Sequence, residues 1–283
     1  MTLMVIIMAV ALGLNLLYPQ GALMARQPTG SSPQTGDQKT EGGEEESDLA
    51  KKTQNPISDL ISLPVQTNIN FGYGPEDNTQ LVINIQPVIP FKLGTDWNLI
   101  TRTIIPLIDQ PVPDRKFGLG DIQLSLFLSP SKSGKFIWGA GPILQFPTGT
   151  GNQLGSGKWC AGPTAVGLFM TGPWVVGALA NNLWSFAGES GRESVNQFLT
   201  QPFINYNLPH GWYVSFSPII TANWKADTAG DVWTIPLGGG GGKIIRIGKL
   251  PLNVQAAAFY NVAKPAVGPD WTLRFQVQFL FPK

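Results

Sequence analysis

The chain has 283 residues, of which 43% are apolar, 10% aromatic and only 13% charged, with 33 Gly, 24 Pro, one Cys and one His. Soluble domains carry roughly a quarter charged residues, so this is not the composition of an ordinary soluble fold. A net charge of +1 leaves no electrostatic footprint for nucleic acid, one Cys excludes a disulfide framework and a Cys-cluster metal site, and one His excludes His-rich zinc and two-His iron sites.

Residues 1–25 carry no charged side chain. The apolar run at 3–17 suits a signal-peptide core but is short for a spanning helix of about 20 residues. Pro19 ends it and the small-residue stretch at 21–25 offers a cleavage site, so 1–25 is expected to be a signal peptide. Residues 26–56 hold four basic and six acidic residues among Gly, Ser, Thr, Pro and Gln, with almost nothing apolar. Such a stretch cannot bury enough surface to offset chain entropy and is expected to be a disordered linker, its acidic run at 44–46 a solvated charge cluster. The remainder, 57–283, keeps 15 basic and 12 acidic residues and must form the fold.

That body reads in period two, the signature of strands whose faces meet different environments. In the first strand Ile61, Leu63, Val65, Ile69 and Phe71 alternate with Ser62, Gln66, Asn68 and Asn70. In the last, Trp271, Leu273, Phe275, Val277 and Phe279 alternate with Thr272, Arg274, Gln276 and Gln278. No window gives a helical period, and Gly or Pro interrupts nearly all of them. The breaks predict twelve strands: 61–73, 79–90, 97–109, 117–130, 135–147, 156–170, 173–186, 194–207, 211–224, 232–246, 250–262 and 269–281.

Connections after even-numbered strands are mostly tight, whereas those after odd-numbered strands are longer and more polar. This asymmetry, with strands of about 11 residues crossing on the order of 27 Å when tilted, predicts an all-β, transmembrane, antiparallel up-and-down barrel. An even strand count places both barrel ends on one side, expected to be periplasmic. All nine tryptophans lie near a connection: Trp97, Trp138, Trp174 and Trp212 near short turns, and Trp159, Trp184, Trp224, Trp233 and Trp271 near long loops. Indole prefers the headgroup level, so these are expected to form two aromatic girdles in contact with outer-membrane lipid.

The polar face then becomes a lumen. Gln66, Asn68, Asn84, Gln86, Gln276 and Gln278 are its candidate amide lining, and Arg102 and Arg274 the charges expected to shape any selectivity. An open pore and a barrel closed by amide pairs across facing strands remain alternatives, because twelve strands lie between filled eight-stranded and open sixteen-stranded barrels.

Catalytic readings are weak. A Ser–His dyad would depend on His210, which falls in the tight turn Leu208-Pro-His-Gly211, and Cys160 has no neighbour in sequence to activate it. The glycine run 238–242 lacks the P-loop spacing and a following helix; it is expected to mark a bend or the close approach of a side chain. Gly155-Ser-Gly-Lys158 reads as loop leading into a strand. No catalytic residue, cofactor or metal is assigned, and a lipid-modifying barrel enzyme is the minor alternative.

Several stretches carry a family resemblance. Asn55-Pro-Ile-Ser-Asp-Leu-Ile-Ser-Leu-Pro-Val-Gln66, Asn84-Ile-Gln-Pro-Val-Ile-Pro90, Trp97-Asn-Leu-Ile-Thr-Arg-Thr-Ile-Ile-Pro106 and Phe117-Gly-Leu-Gly-Asp-Ile122 do so in the first half. Gly155-Ser-Gly-Lys-Trp159, Asn181-Asn-Leu-Trp-Ser-Phe186, Gln201-Pro-Phe-Ile-Asn-Tyr-Asn207 and Leu273-Arg-Phe-Gln-Val-Gln-Phe-Leu-Phe281 do so in the second. Together they resemble the bacterial outer-membrane family named for the MetA pathway of phenol degradation. The resemblance implies an outer-membrane barrel transporter associated with uptake of aromatic compounds; insertion by the barrel assembly machinery is expected, and the amide lining is expected to pass small neutral or weakly polar solutes with little charge selectivity. A non-conducting barrel that is structural or binds a partner is the alternative function.

Overall fold

Period-two alternation is realised in fifteen β-segments that close into twelve antiparallel staves. In this computed structural model residues 38–281 are described, apart from Ser133 and Lys249, with side chains from Glu45 onward. The expected signal peptide and the first part of the linker lie outside the described residues. Nine staves are single strands: β1 (Ile61–Tyr73), β4 (Trp97–Gln110), β7 (Phe136–Phe146), β8 (Lys158–Thr171), β9 (Trp174–Gly188), β10 (Asn196–Asn207), β13 (Trp233–Ile247), β14 (Leu250–Ala263) and β15 (Trp271–Phe281). Three are interrupted pairs: β2 (Asn78–Ile85) with β3 (Val88–Leu93), β5 (Lys116–Leu119) with β6 (Ile122–Pro130), and β11 (Trp212–Phe216) with β12 (Ile220–Asn223).

Two of the interruptions contain a proline, Pro87 and Pro218, which has no N–H for the ladder; the third contains Gly120. Each stave pairs with its sequence neighbours, and β1 closes the barrel on β15 from Ile61↔Phe281 to Phe71↔Trp271. Both barrel ends therefore lie at the same rim, that of the short turns.

Polarity is inverted relative to a soluble fold. On β1 and β15 the inward residues Ser62, Gln66, Asn68, Arg274 and Gln278 are buried, while outward Phe71, Phe275 and Trp271 are exposed. Outward apolar residues continue around the wall, among them Val176, Ile204, Val214, Val254 and Val277.

The linker departs from expectation. Gln38–Thr53 forms an α-helix, α1, instead of a structureless spacer. Its last turns dock inside the short-turn rim, where Leu49 and Ala50 join Leu60, Tyr213, Ile244 and Leu280 in a buried cluster. Gln54 and Asn207 exchange amide hydrogen bonds of 2.9 and 3.1 Å, and Glu45 pairs with Arg246 at 2.8 Å. Ordering the segment is offset by contacts with the barrel, which a reading of its own composition does not contain.

The chain then crosses the rim and inserts Ile57 into a second apolar cluster, with Val88, Ile100, Phe127, Leu168, Val175 and Phe203. Gly139 leaves the space: a Cβ there would stand 3.1 Å from Ile57 Cδ1. The short-turn half of the interior is thus filled on one side by apolar side chains rather than lined throughout by amides.

Candidate functional site

The interior retains two chambers. The short-turn chamber, about 140 Å³, is floored by residues 53–56 and walled by Gln66, Gln86, Arg102, Gln276 and Gln278. The long-loop chamber, about 250 Å³, is lined by Gln66, Asn68, Asn84, Arg274 and further amides and hydroxyls on one side, and by Phe259 with Val82, Ile219, Pro236 and Pro269 on the other. All eight lumen residues singled out in the sequence therefore line one or both chambers. Gln66 belongs to both, because strand alternation places its side chain on the inner wall between them.

The lining is a hydrogen-bonded net. Gln66 Nε2 donates to Asn68 Oδ1 at 3.3 Å, and the same oxygen accepts from Arg274 Nε at 3.1 Å. Arg274 Nη1 donates to the Ser217 carbonyl at 3.0 Å, an acceptor exposed by the interruption between β11 and β12, and the guanidinium lies 4.6 Å from the Phe259 ring centroid. Arg102 Nη2 donates to Gln86 Oε1 at 2.6 Å. At the floor, Tyr213 Oη donates to Asn253 Oδ1 at 2.8 Å, while Asn253 Nδ2 reaches Thr53 Oγ1 and Gln278 Oε1, both at 3.3 Å. Neither chamber includes an Asp or Glu in its lining, and neither arginine forms an ion pair among the described residues.

Gly242, the last of the glycine run, is explained by the same floor. A Cβ on Gly242 would stand 2.4 Å from Tyr213 Oη, so the bare strand admits the tyrosine ring, the close approach expected of it.

The long-loop rim is tied by contacts that periodicity does not reveal. Asp121 accepts from the Gly149 and Ser156 amides at 3.1 and 2.6 Å, and from Ser156 Oγ at 2.7 Å. Arg192 donates to the Asn152 and Ser156 carbonyls at 2.7 and 3.2 Å and to that of Gly155. These bonds fold 147–157 against 189–195. The available signal was the placement of Asp121 and Arg192 beside Gly-rich loops. Gly155-Ser-Gly-Lys158 belongs to that loop and runs into β8.

Two rim groups titrate away from their ordinary values. The Asp109 carboxylate, hydrogen-bonded to the Arg115 guanidinium, raises the arginine's pKa; the Thr228 hydroxyl, then the Ala266 amide, lower that of Asp231.

All nine tryptophans are exposed on the barrel. Several meet an aromatic ring across strands, including Trp97–Trp138, Trp174–Tyr206, Trp224–Trp233 and Tyr260–Trp271. His210 lies in a single 3-10 turn at the short-turn rim, whereas Cys160 is buried on β8, its Sγ 3.7 Å from Gln145 Nε2. The structure does not bring these two together with a nucleophile or base: one is at the rim and the other lies toward the opposite end of its strand. No group of three or more His, Cys, Asp or Glu is placed to hold a metal among the described residues.

No protein-family model matches the chain, and no curated protein matches it. Solved structures do. The COG4313 outer membrane channel from Pseudomonas putida F1 superposes with a TM-score of 0.61 at 17% identity, over 78% of this chain and 95% of that one. The NanC porin superposes with a TM-score of 0.50 at 8% identity, over 78% of this chain and all of that one. At these identities the likeness is one of fold.

Proposed function

We propose that the chain is an outer-membrane β-barrel channel that passes small, aromatic or weakly polar solutes passively through its lumen. The observation that carries the reading is the inverted polarity: Gln66, Asn68, Arg274 and Gln278 are buried, while Phe71, Phe275 and Val277 on the same two strands face outward. Apolar surface exposed to water costs about 25 cal/mol per Å², whereas in a bilayer it is at home, and a closed sheet satisfies every backbone group there. The exposed tryptophans then stand at the two headgroup levels.

In this reading residues 1–25 direct export, the barrel assembly machinery inserts the body, and the short-turn rim with both barrel ends faces the periplasm. The solute class comes from the resemblance to the family of the MetA pathway of phenol degradation. Both superposed proteins are named as a channel or porin, and no chemistry is assigned to His210 or Cys160. Single-channel recording in planar bilayers, with solute uptake into liposomes, tests the proposal. Purified barrel that neither conducts nor admits solute would sink it.

A second reading is favoured by one feature: the segment from Leu49 to Ile57 occupies the short-turn rim. A barrel permanently closed there would be a structural or partner-binding protein. It predicts no conductance in the parent and none in variants that loosen Leu49.

A further inference from the structure

Among the described residues that line the two chambers there are two cations, Arg102 and Arg274, and no carboxylate. Arg274 is 6% exposed, and its two hydrogen bonds go to the neutral oxygens of Asn68 and Ser217, leaving Nη2 without a protein acceptor among the described residues. A buried guanidinium is costly unless paired, and the partner that suits its planar fork is a carboxylate. The chamber supplies none: no Asp or Glu is among the described residues that line it.

The surroundings define the rest of the ligand. Beside the guanidinium the chamber presents Val82, Ile219, Pro236 and the ring of Phe259, an apolar wall adjoining a single cation, while neutral amides and hydroxyls, among them Asn84, Asn261 and Thr272, complete the lining. A cavity of about 150 Å³ with apolar lining suffices to hold benzene. At about 250 Å³ this one has room for a six-membered ring and a carboxylate together. Polar groups fix a ligand's orientation while an apolar wall holds its body, and here Arg274 with its flanking amides faces Val82, Ile219, Pro236 and Phe259.

We propose that the long-loop chamber is a binding site for a small amphipathic monocarboxylate, its carboxylate on Arg274 and its apolar body against Val82, Ile219, Pro236 and Phe259. The inference rests on reading the lumen as the solute path and deepens it: the preferred solute is an organic acid rather than a neutral aromatic. Arg102, in the short-turn chamber, supplies a second positive station further along the same path.

The test is calorimetric titration of the full chain in a neutral detergent with sodium benzoate and with benzyl alcohol, a neutral molecule of similar shape. Benzoate is expected to bind at least tenfold more tightly than benzyl alcohol. Arg274→Gln is expected to abolish that preference, Arg274→Lys to retain part of it, and Arg115→Gln, at an exposed loop, to leave it intact. Equal affinity for the two ligands in the parent, or an unchanged preference in a folded Arg274→Gln, overturns the site; the parent comparison stands even if the variant fails to fold. Binding needs no conduction. Arg274-dependent benzoate binding in a barrel that never conducts upholds the site and removes the channel reading, while conduction without benzoate preference removes the site alone.

Discussion

Replacing Leu49 by Ala probes whether the N-terminal segment is a removable closure. Leu49 is buried in the cluster formed with Ala50, Leu60, Tyr213, Ile244 and Leu280 at the short-turn rim. Truncating a buried leucine to alanine costs about 2–3 kcal/mol, the lower part of the range for such sites, because the rim is open to water on one side. At about 1.4 kcal/mol per factor of ten, the ratio of released to docked segment rises roughly 30- to 150-fold. The helix's polar ties, the Gln54–Asn207 and Thr53–Asn253 hydrogen bonds and the Glu45–Arg246 ion pair, exchange readily with water, while Ile57 keeps the chain anchored beyond the helix, so the release concerns the helix alone. The assay is planar-bilayer recording at fixed voltage, counting transitions to the larger conductance level. Lys51→Ala serves as the control, since its contact with Asp48 is a 4.0 Å surface pair of negligible worth. A Leu49→Ala barrel that folds, judged by its heat-dependent gel shift, yet shows parental transition frequency and conductance would refute the idea that this docking closes the lumen.

With two lumen arginines and no lining carboxylate, reversal potentials in a salt gradient should report anion preference, reduced in Arg102→Gln and again in Arg274→Gln; parental values in both variants would contradict the assignment. Gly242→Ala should destabilise the barrel by about 1–3 kcal/mol in urea titrations in lipid, because the new methyl collides with Tyr213 Oη; an unchanged midpoint would contradict the proximity. Asp231 fastens its loop through Thr228 and the Ala266 amide. Since its folded pKa is lowered, the fastening is complete above the unfolded value near 4 and is lost as pH falls through the lower folded value. Protease nicking of 225–232 by an acid-active protease should therefore increase below about pH 4 in the parent, and Asp231→Asn should show no such pH dependence.

The barrel was legible because period two encodes it directly: in β1 and β15 every buried residue is the one the alternation placed inside, from Ser62 to Asn68 and from Arg274 to Leu280. The eight lumen residues were recoverable for the same reason. Alternation is silent where both faces are apolar, so the plug of Ile100, Phe127, Val166 and Phe203 was missed; Leu126 and Leu128 flank Phe127, and Ile204 follows Phe203. The helix Gln38–Thr53 was missed because its apolar content is Leu49 and Ala50 alone, and its docking surface belongs to strands far along the chain. One signal was present. Basic Lys51 and Lys52 fall in the last turn, where they complement a helix dipole.

The tryptophans also make the barrel a gauge. Trp174 and Trp184 occupy one strand, β9, on its outer face at opposite ends. Ten residues at roughly 3.3 Å each, inclined about 40°, set their levels on the order of 25 Å apart. Such a span suits a thin bilayer and mismatches a thicker one, where each additional ångström of hydrocarbon must be met by local thinning at a fraction of a kcal/mol. For the proposed membrane barrel, preference for a thin bilayer over a thick one is therefore partly written in the spacing of two indoles.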